Sequence, residues 1–267
     1  MSTPRAAVSP VSVALTAVLM TTGLGLAGCA TQAPAAEGPA TSSAAEQTPG
    51  ESPGSGAEPL TAEDFAERVT AAQLRAGMVH TSQTIEDASG RLTAEGDMTV
   101  TADPASVRVA VTMNGPNGAS EVRIVDGVMY MNLSALSGDR FMVFEGGDGG
   151  SGLTADAIIG QLAPQTQLST FGASIREFAV GGTEQLDGVR ATQYTLVLDT
   201  ATLLGGPLTS WIDPALVGET VQYEMWVGDD DLPRRAIMTF PGQTSTTDYS
   251  RWGQAVDIQA PSPDQIG

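Results

Sequence analysis

Over most of its length, the chain consists of short runs of alternating apolar and polar residues that are separated by tight turns. In VRVAVTM, residues 107–113, every second side chain is apolar, which is typical of a strand with one buried face. Asp126-Gly127 and Asp187-Gly188 each join two such runs, and Asp-Gly is a preferred pair for two-residue hairpin turns. Further hairpins are predicted at Ser89-Gly90 and at a tip from Asp229 to Pro233. The pattern predicts about nine to eleven antiparallel strands.

About two to four short helices are predicted beside the strands. LTAEDFAERVTAAQLRAG, residues 60–77, has Thr61 as N-cap, acids in its first turn and Gly77 as a stop. LTADAIIGQLA, residues 153–163, predicts a second helix, and residues 167–178 predict either a third helix or a turn followed by a strand. Each strand has one apolar face that a helix must cover. The predicted fold class is therefore α+β, with a large curved antiparallel sheet wrapped over a few short helices. The apolar face of the first helix consists of Phe65, Val69 and Ala72.

The first 28 residues have the features of a secretory signal: Arg5 near the start, an apolar run from Val11 to Ala27, and small residues at the end. Leu26-Ala27-Gly28-Cys29 resembles the bacterial lipobox, in which the cysteine sulfur receives a diacylglyceryl group and the chain is cleaved before that cysteine. Cys29 is therefore the predicted lipidation site, and residues 1–28 are the predicted signal peptide. The alternative is an uncleaved signal anchor with an inert thiol. A catalytic role for Cys29 is disfavoured because no histidine lies near it in sequence.

Residues 29–59 begin with the lipidated cysteine and continue as a segment rich in Pro, Ala, Ser and Gly. Such a composition cannot bury a core, so it predicts a disordered tether with an end-to-end distance of about 30 Å. GESPG, residues 50–54, matches the G-x-S-x-G pattern of hydrolases, but that motif requires a strand before the serine and a helix after it. The match is interpreted as chance. The folded domain is predicted to span residues 60–267.

The charge and the scarcity of Cys and His exclude several classes of function. Twelve Arg, no Lys and 31 Asp+Glu give a net charge of −19, which argues against nucleic acid or an anionic lipid surface as a partner. One cysteine and one histidine, His80, exclude a zinc site built from several of either. Asp229-Asp230-Asp231 lacks the alternating ligand spacing of an EF-hand calcium loop. No metal or cofactor is therefore predicted. No catalytic residue is predicted either, because no nucleophile with an orienting base can be identified.

Four features of the sequence resemble the actinobacterial LppX/LprA/LprF/LprG lipoproteins. They are the lipobox with its tether, the opening helix that leads into a strand around His80, the VDGVMYMNL hairpin followed by DRFMVFE, and the closing segments EMWVGDDDLPRRAIMTF and TDYSRWGQAVDIQAPSPDQI. The resemblance covers residues 60–266 and leaves the Gly-rich loop at 146–152 and PLTSWIDPALVGE, residues 207–219, unmatched. It implies the half-barrel fold that this family shares with the lipoprotein carrier LolA. It also implies an apolar cavity that binds lipids or glycolipids.

Apolar side chains on the predicted strands are the candidates to line such a cavity. Methionine is an adaptable side chain that suits flexible acyl tails, and several of the candidates are methionines. The alternative is that the same residues fill an ordinary closed core. The candidate lining residues are Val109, Val111, Met113, Ile124, Met129, Met131, Phe171, Leu196, Leu198 and Met225.

The sequence therefore predicts a non-enzymatic lipoprotein that binds or carries acyl lipids or glycolipids. Its predicted location is the extracytoplasmic face of the cell membrane, to which the lipid on Cys29 anchors it. Its predicted partners are the acyl lipid, the membrane and, as a further candidate, a membrane transporter. The alternative is a lipoprotein interaction module with a solid core, whose surface binds a membrane transporter or sensor. A cell-wall hydrolase is disfavoured because no spacing of carboxylates or triad residues suggests one.

Overall fold

The structure is a computed structural model, and it describes residues 58–88, 90–116, 118–144, 159, 171–204 and 219–267. Eleven strands form one antiparallel sheet. They are β1 (Met78–Asp87), β2 (Gly90–Thr99), β3 (Val109–Gly115), β4 (Gly118–Val125), β5 (Val128–Asn132), β6 (Phe141–Phe144), β7 (Ile175–Leu186), β8 (Val189–Asp199), β9 (Thr220–Gly228), β10 (Pro233–Phe240) and β11 (Gln243–Ser250). Two α-helices lie wholly within the described residues, α1 (Phe65–Ala76) and α2 (Thr200–Leu204).

Several predicted features lie outside the described residues. They are the signal peptide, Cys29, nearly all of the tether, the helix at 153–163 apart from Ile159, the Gly-rich loop at 146–152 and nearly all of 207–219. The ambiguous segment 167–178 is described from residue 171 onward. Its residues 171–174 are helical, and β7 follows directly at Ile175.

The strands lie in the order β6-β5-β4-β3-β2-β1-β11-β10-β9-β8-β7. Two meanders, β1–β6 and β7–β11, therefore make up the sheet, and they meet in the β1–β11 pair at its centre. Strands β6 and β7 form the two edges, so the sheet is open. The predicted α+β class, with a large curved antiparallel sheet of half-barrel type, is confirmed.

Two-residue turns connect β4 to β5 and β7 to β8, as predicted. Asp126 and Gly127 have φ values of 52° and 79°, and Asp187 and Gly188 have values of 49° and 79°. Positive φ at both central residues is the type I′ turn, whose twist matches that of the paired strands. The predicted tip from Asp229 to Pro233 likewise connects β9 to β10. These hairpins set the register that keeps the apolar side chains of successive strands on one face.

Regular helix in α1 begins later than predicted. Asp64 Oδ1 accepts a hydrogen bond from the Thr61 N–H at 2.6 Å, and Thr61 Oγ1 accepts one from the Asp64 N–H at 3.4 Å. These reciprocal bonds close a turn in front of the helix, to which the Phe65 N–H joins it by donating to the Thr61 carbonyl at 2.9 Å. The helix itself begins at Phe65 with Asp64 as its N-cap, so the prediction of Thr61 as N-cap is wrong. The bond from the Thr61 backbone also lowers the pKa of Asp64. The helix ends as predicted before Gly77, which has φ of 72°.

Gly96 is a point of very close approach between β2 and β3. It lies opposite Val111, and a Cβ atom added to it would be 2.0 Å from the carbonyl oxygen of Ala110. Real Cβ contacts essentially never fall below 3.0 Å, and both atoms that would meet here first are backbone atoms, which cannot turn away. Only glycine therefore permits the two strands to pair this closely.

The last residues, 251–267, form a C-terminal strap that returns across the face of the sheet opposite α1. Arg108 Nη1, one residue before β3, donates a hydrogen bond to the Ile258 carbonyl at 3.3 Å, and Arg108 Nη2 also pairs with Asp126 at 2.6 Å. At its end, the strap reaches the edge strand β6, where Ile266 forms a parallel bridge with Phe141. The strap therefore covers part of the β6 edge and connects it to the centre of the sheet.

Candidate functional site

One face of the sheet, named the inner face, packs against helix α1. Directly paired residues of neighbouring strands share a face, so the register shows which side chains belong to it. The row Ile85–Ser245–Met238–Tyr223–Leu196 crosses the inner face from β1 to β8. Apolar side chains on this face form two separate clusters, one on each side of the central strand β11.

The β8–β10 cluster joins helix α1 to one half of the inner face. The ring centroid of Phe65 lies 5.5 Å from that of Tyr194 and 5.5 Å from that of Phe178. The Tyr194 hydroxyl accepts a hydrogen bond from the buried Leu60 N–H at 3.1 Å, which fixes the chain just before the helix. The buried members of the cluster are Leu60, Phe65, Val69, Tyr194, Leu196, Leu198, Leu203, Val221, Tyr223, Met225, Val227, Ala236, Met238 and Phe240.

The β3–β5 cluster occupies the other half of the inner face. Met129 on β5 and Ile124 on β4 lie directly opposite each other, and both are fully buried. Ile159, from the segment between β6 and β7, belongs to the same cluster. The buried members are Ile85, Ala94, Val107, Val109, Val111, Met113, Val122, Ile124, Met129, Met131 and Ile159.

Between the clusters, the inner face carries a buried polar seam formed by Gln83, Gln243 and Ser245. These side chains are 7%, 4% and 6% exposed. Gln83 Nε2 donates a hydrogen bond to Ser245 Oγ at 3.1 Å. Within the described part of the chain, Gln83 Oε1 and Gln243 Nε2 have no hydrogen-bond partner. Leaving a polar atom buried without a partner costs about 1–3 kcal/mol, so the seam holds two polar atoms whose hydrogen-bonding capacity is unused.

The structure places the ten candidate lining residues on the inner face in two groups. Val109, Val111, Met113, Ile124, Met129 and Met131 belong to the β3–β5 cluster. Leu196, Leu198 and Met225 belong to the β8–β10 cluster, and Phe171 packs against that cluster with its ring 4.7 Å from Tyr223. The two groups do not meet directly, because the polar seam lies between them. As the lining of a cavity, these residues stay a prediction.

Sequence reasoning missed the polar seam. The signal was present, since Gln83 occupies an inward position in the alternating run of β1, where an apolar residue is expected. Three successive inward positions of β11, Gln243, Ser245 and Thr247, are also polar. A strand whose inward positions are mostly polar is typical of an exposed sheet edge, whereas β11 lies at the centre of the sheet.

Two tyrosines on the inner face are held in the neutral form. Burial raises the pKa of Tyr223 well above its ordinary value. Burial also raises the pKa of Tyr249 to about 12, and the neighbouring charge of Asp248 adds to this effect. Both phenols therefore remain uncharged at physiological pH, and they contribute apolar ring surface to this face.

The histidine of the chain lies on the opposite, outer face of the sheet. His80 Nδ1 is 2.9 Å from Asp97 Oδ1, and His80 Nε2 is 3.2 Å from Glu95 Oε1. Arg251 of the strap contacts both His80 and Asp97. The imidazole is thus held in a network of charged side chains that ties the strap to β1 and β2.

Two of the three aspartates of the β9–β10 tip, Asp230 and Asp231, are engaged in ion pairs with different arginines. Asp231 Oδ1 lies 2.8 Å from Arg68 Nη2 on helix α1, and Asp230 Oδ2 lies 2.6 Å from Arg234 Nη2. Among the described residues, no group of three or more His, Cys, Asp or Glu side chains is placed to hold a metal ion. The tip therefore connects α1 to the sheet.

Within the described residues, no helix is long and apolar enough to cross a membrane.

Comparison with solved structures shows the class of fold. LprF from Mycobacterium bovis is 16% identical, with a TM-score of 0.54 over 75% of this chain and 97% of that chain. The lipoprotein LppX from Mycobacterium tuberculosis is 14% identical, with a TM-score of 0.51 over 73% of this chain and 98% of that chain. The protein is therefore a half-barrel of the fold seen in LprF and LppX.

The match to a family model identifies the family. Residues 14–256 match the model of the family of unknown function DUF7537, so the chain belongs to that family. Among proteins of curated function, none matches this sequence.

Proposed function

We propose that this protein is a lipid-binding lipoprotein that holds the acyl chains of a lipid or glycolipid against the inner face of its half-barrel. The observation that supports this function best is the arrangement of two extended apolar clusters on one face of an open sheet. The fold likeness to LppX, which is itself a lipoprotein, adds support. Binding of this kind requires apolar surface and no catalytic residue, so the proposed function is non-enzymatic.

The energy available from such a face is sufficient for a carrier. Each methylene removed from water contributes about 0.8 kcal/mol, so a chain of about sixteen carbons provides roughly 13 kcal/mol of gross transfer energy. Association itself costs about 4–15 kcal/mol. For a ligand with two chains, the transfer free energy therefore exceeds the cost of association, whereas for a single chain the two are about equal.

The proposed location is the extracytoplasmic face of the cell membrane. Leu26-Ala27-Gly28-Cys29 supports it because the lipobox directs acylation of Cys29. Residues 29–59 then give the domain a reach of about 30 Å from the membrane surface. That reach lets the domain collect a lipid from the bilayer while it remains anchored.

The proposal is tested with the full chain carrying Cys29→Ser, purified from its own host, by native mass spectrometry and by uptake of a fluorescent acyl probe. Met142→Trp enlarges a side chain on the inner face of β6, directly opposite Met131. Val143→Trp is the matched control, since Val143 is the next residue and points to the other face. We expect bound lipid in the parent chain and weaker probe uptake only in Met142→Trp. A chain without lipid that also takes up no probe would refute the function.

An interaction module is the second candidate, and the tight packing of the clusters favours it. Met129, Leu196 and Leu198 are fully buried in the protein itself, as in a solid core. A module of this kind binds a membrane transporter or sensor through its surface. It predicts that both tryptophan variants leave probe uptake at the same background level.

A further inference from the structure

The polar seam stands at the boundary between the two apolar clusters. Ser245 on β11 lies directly opposite Ile85 of the β3–β5 cluster on one side and Met238 of the β8–β10 cluster on the other. Gln83 lies two strands from Met113, which is a distance of about 10 Å at the usual strand spacing. A ligand that spans both clusters must therefore pass over the seam.

The seam offers unused hydrogen-bonding groups of both kinds. Gln83 Oε1 is a free acceptor and Gln243 Nε2 is a free donor within the described residues, and both side chains are more than nine-tenths buried. A buried polar atom in a folded protein normally has a partner, so an unpaired acceptor on Gln83, opposite Thr247, and an unpaired donor on Gln243, opposite Asp87, need an explanation. A hydrocarbon core alone gives no reason for two glutamines at these positions.

We propose that the polar seam binds the ester or amide linkage of a lipid with two or more acyl chains, and that the chains diverge from it onto the two apolar clusters. This inference rests on the proposed function. Gln243 Nε2 donates to the carbonyl oxygen of the linkage, and Gln83 Oε1, four positions away along the β1–β11 pair, accepts from a hydroxyl or an amide N–H further along the same lipid. The seam thereby selects lipids whose chains join at a carbonyl-bearing centre over lipids with simple ether links.

The test compares two ligands that differ only in the carbonyl groups. The full chain with Cys29→Ser is titrated with dipalmitoylglycerol and with its dihexadecyl diether analogue, by displacement of a fluorescent diacyl probe. We expect the diester to bind about two- to tenfold more tightly, which is the range that one net hydrogen bond provides. Gln243→Met keeps the side-chain volume. In this variant, we expect the affinity for the diester to fall to that for the diether, while the affinity for the diether is unchanged. Gln185→Met, on the exposed part of β7, is the control and keeps the parent preference.

The outcomes separate the two proposals. If neither lipid binds, the proposed function fails and the seam proposal fails with it. If both lipids bind equally and Gln243→Met changes neither, lipid binding stands and the seam proposal is refuted. If Gln243→Met weakens the binding of both lipids equally, Gln243 stabilises the fold rather than binding the linkage, and the seam proposal is also refuted. A diester preference that disappears only in Gln243→Met supports it.

Discussion

Replacement of Gly96 by alanine is expected to destabilise the sheet strongly. The added Cβ would stand 2.0 Å from the Ala110 carbonyl oxygen, and it requires at least 3.0 Å, so β2 and β3 must separate locally by at least 1.0 Å. Overpacking of this kind costs about 1–3 kcal/mol. The separation also weakens one or two hydrogen bonds between the strands, each worth about 1 kcal/mol net. The expected loss is about 2–5 kcal/mol, a large part of the roughly 5–15 kcal/mol that holds a domain folded.

Urea denaturation followed by circular dichroism measures this loss. We expect Gly96→Ala to lower the midpoint by about 0.7–2.5 M, since the slope of the unfolding free energy against urea is about 2–3 kcal/mol per molar for a domain of this size. Gly182→Ala is the matched control. Gly182 is also a strand glycine, but nothing lies within 4 Å of its added Cβ and its φ is not in the left-handed region. Its substitution is expected to be neutral, or stabilising by about 0.4–1 kcal/mol.

A Gly96→Ala chain that unfolds at the parent midpoint would refute the close approach of β2 and β3. A similar loss in both alanine variants would show that strand flexibility, rather than the contact with Ala110, determines the effect.

Three further predictions concern the helix junction, alkaline stability and the C-terminal strap. Tyr194→Phe leaves the buried Leu60 N–H without its acceptor, and calorimetry should show a loss of about 1–3 kcal/mol in unfolding free energy. Tyr249 has a pKa of about 12 in the folded chain against 10.0 in the unfolded chain, so the unfolded chain releases its proton first. Stability should therefore fall between pH 10 and 12, by up to about 1.4 kcal/mol per pH unit, and Tyr249→Phe should make that fall shallower. Arg108→Ala removes the hydrogen bond to the Ile258 carbonyl, and amide hydrogen exchange in the strap should become faster.

Each of these results has a clear contrary outcome. An unchanged unfolding free energy in Tyr194→Phe would mean that the Leu60 N–H has another acceptor. A parent-like alkaline slope in Tyr249→Phe would mean that this phenol titrates normally. Unchanged exchange in the strap after Arg108→Ala would mean that the bridge between Ile266 and Phe141 is sufficient to hold it.

The hairpins and the fold class could be predicted because they depend on neighbours along the chain. An alternating run such as residues 107–113 identifies its own buried face, and Asp126-Gly127 carries its own turn preference in positive φ. The residue at which α1 begins was harder to predict from the sequence. Thr61 and Asp64 form the expected reciprocal bonds, but these close a turn in front of the helix, and α1 begins at Phe65, whose ring packs against Tyr194 of the sheet.

The sequence by itself determined the elements: the strands, their turns and the first helix, all of which are encoded in residues close to one another. Only the tertiary structure decided which strands form the centre of the sheet. The β1–β11 pair brings Gln83 beside Ser245 across 162 residues of chain, and no local pattern specifies that pairing. It turns β11, whose polar inward positions resemble those of an edge strand, into the middle of the inner face. The division of the apolar surface into two clusters, and the polar seam between them, follow from that single long-range contact.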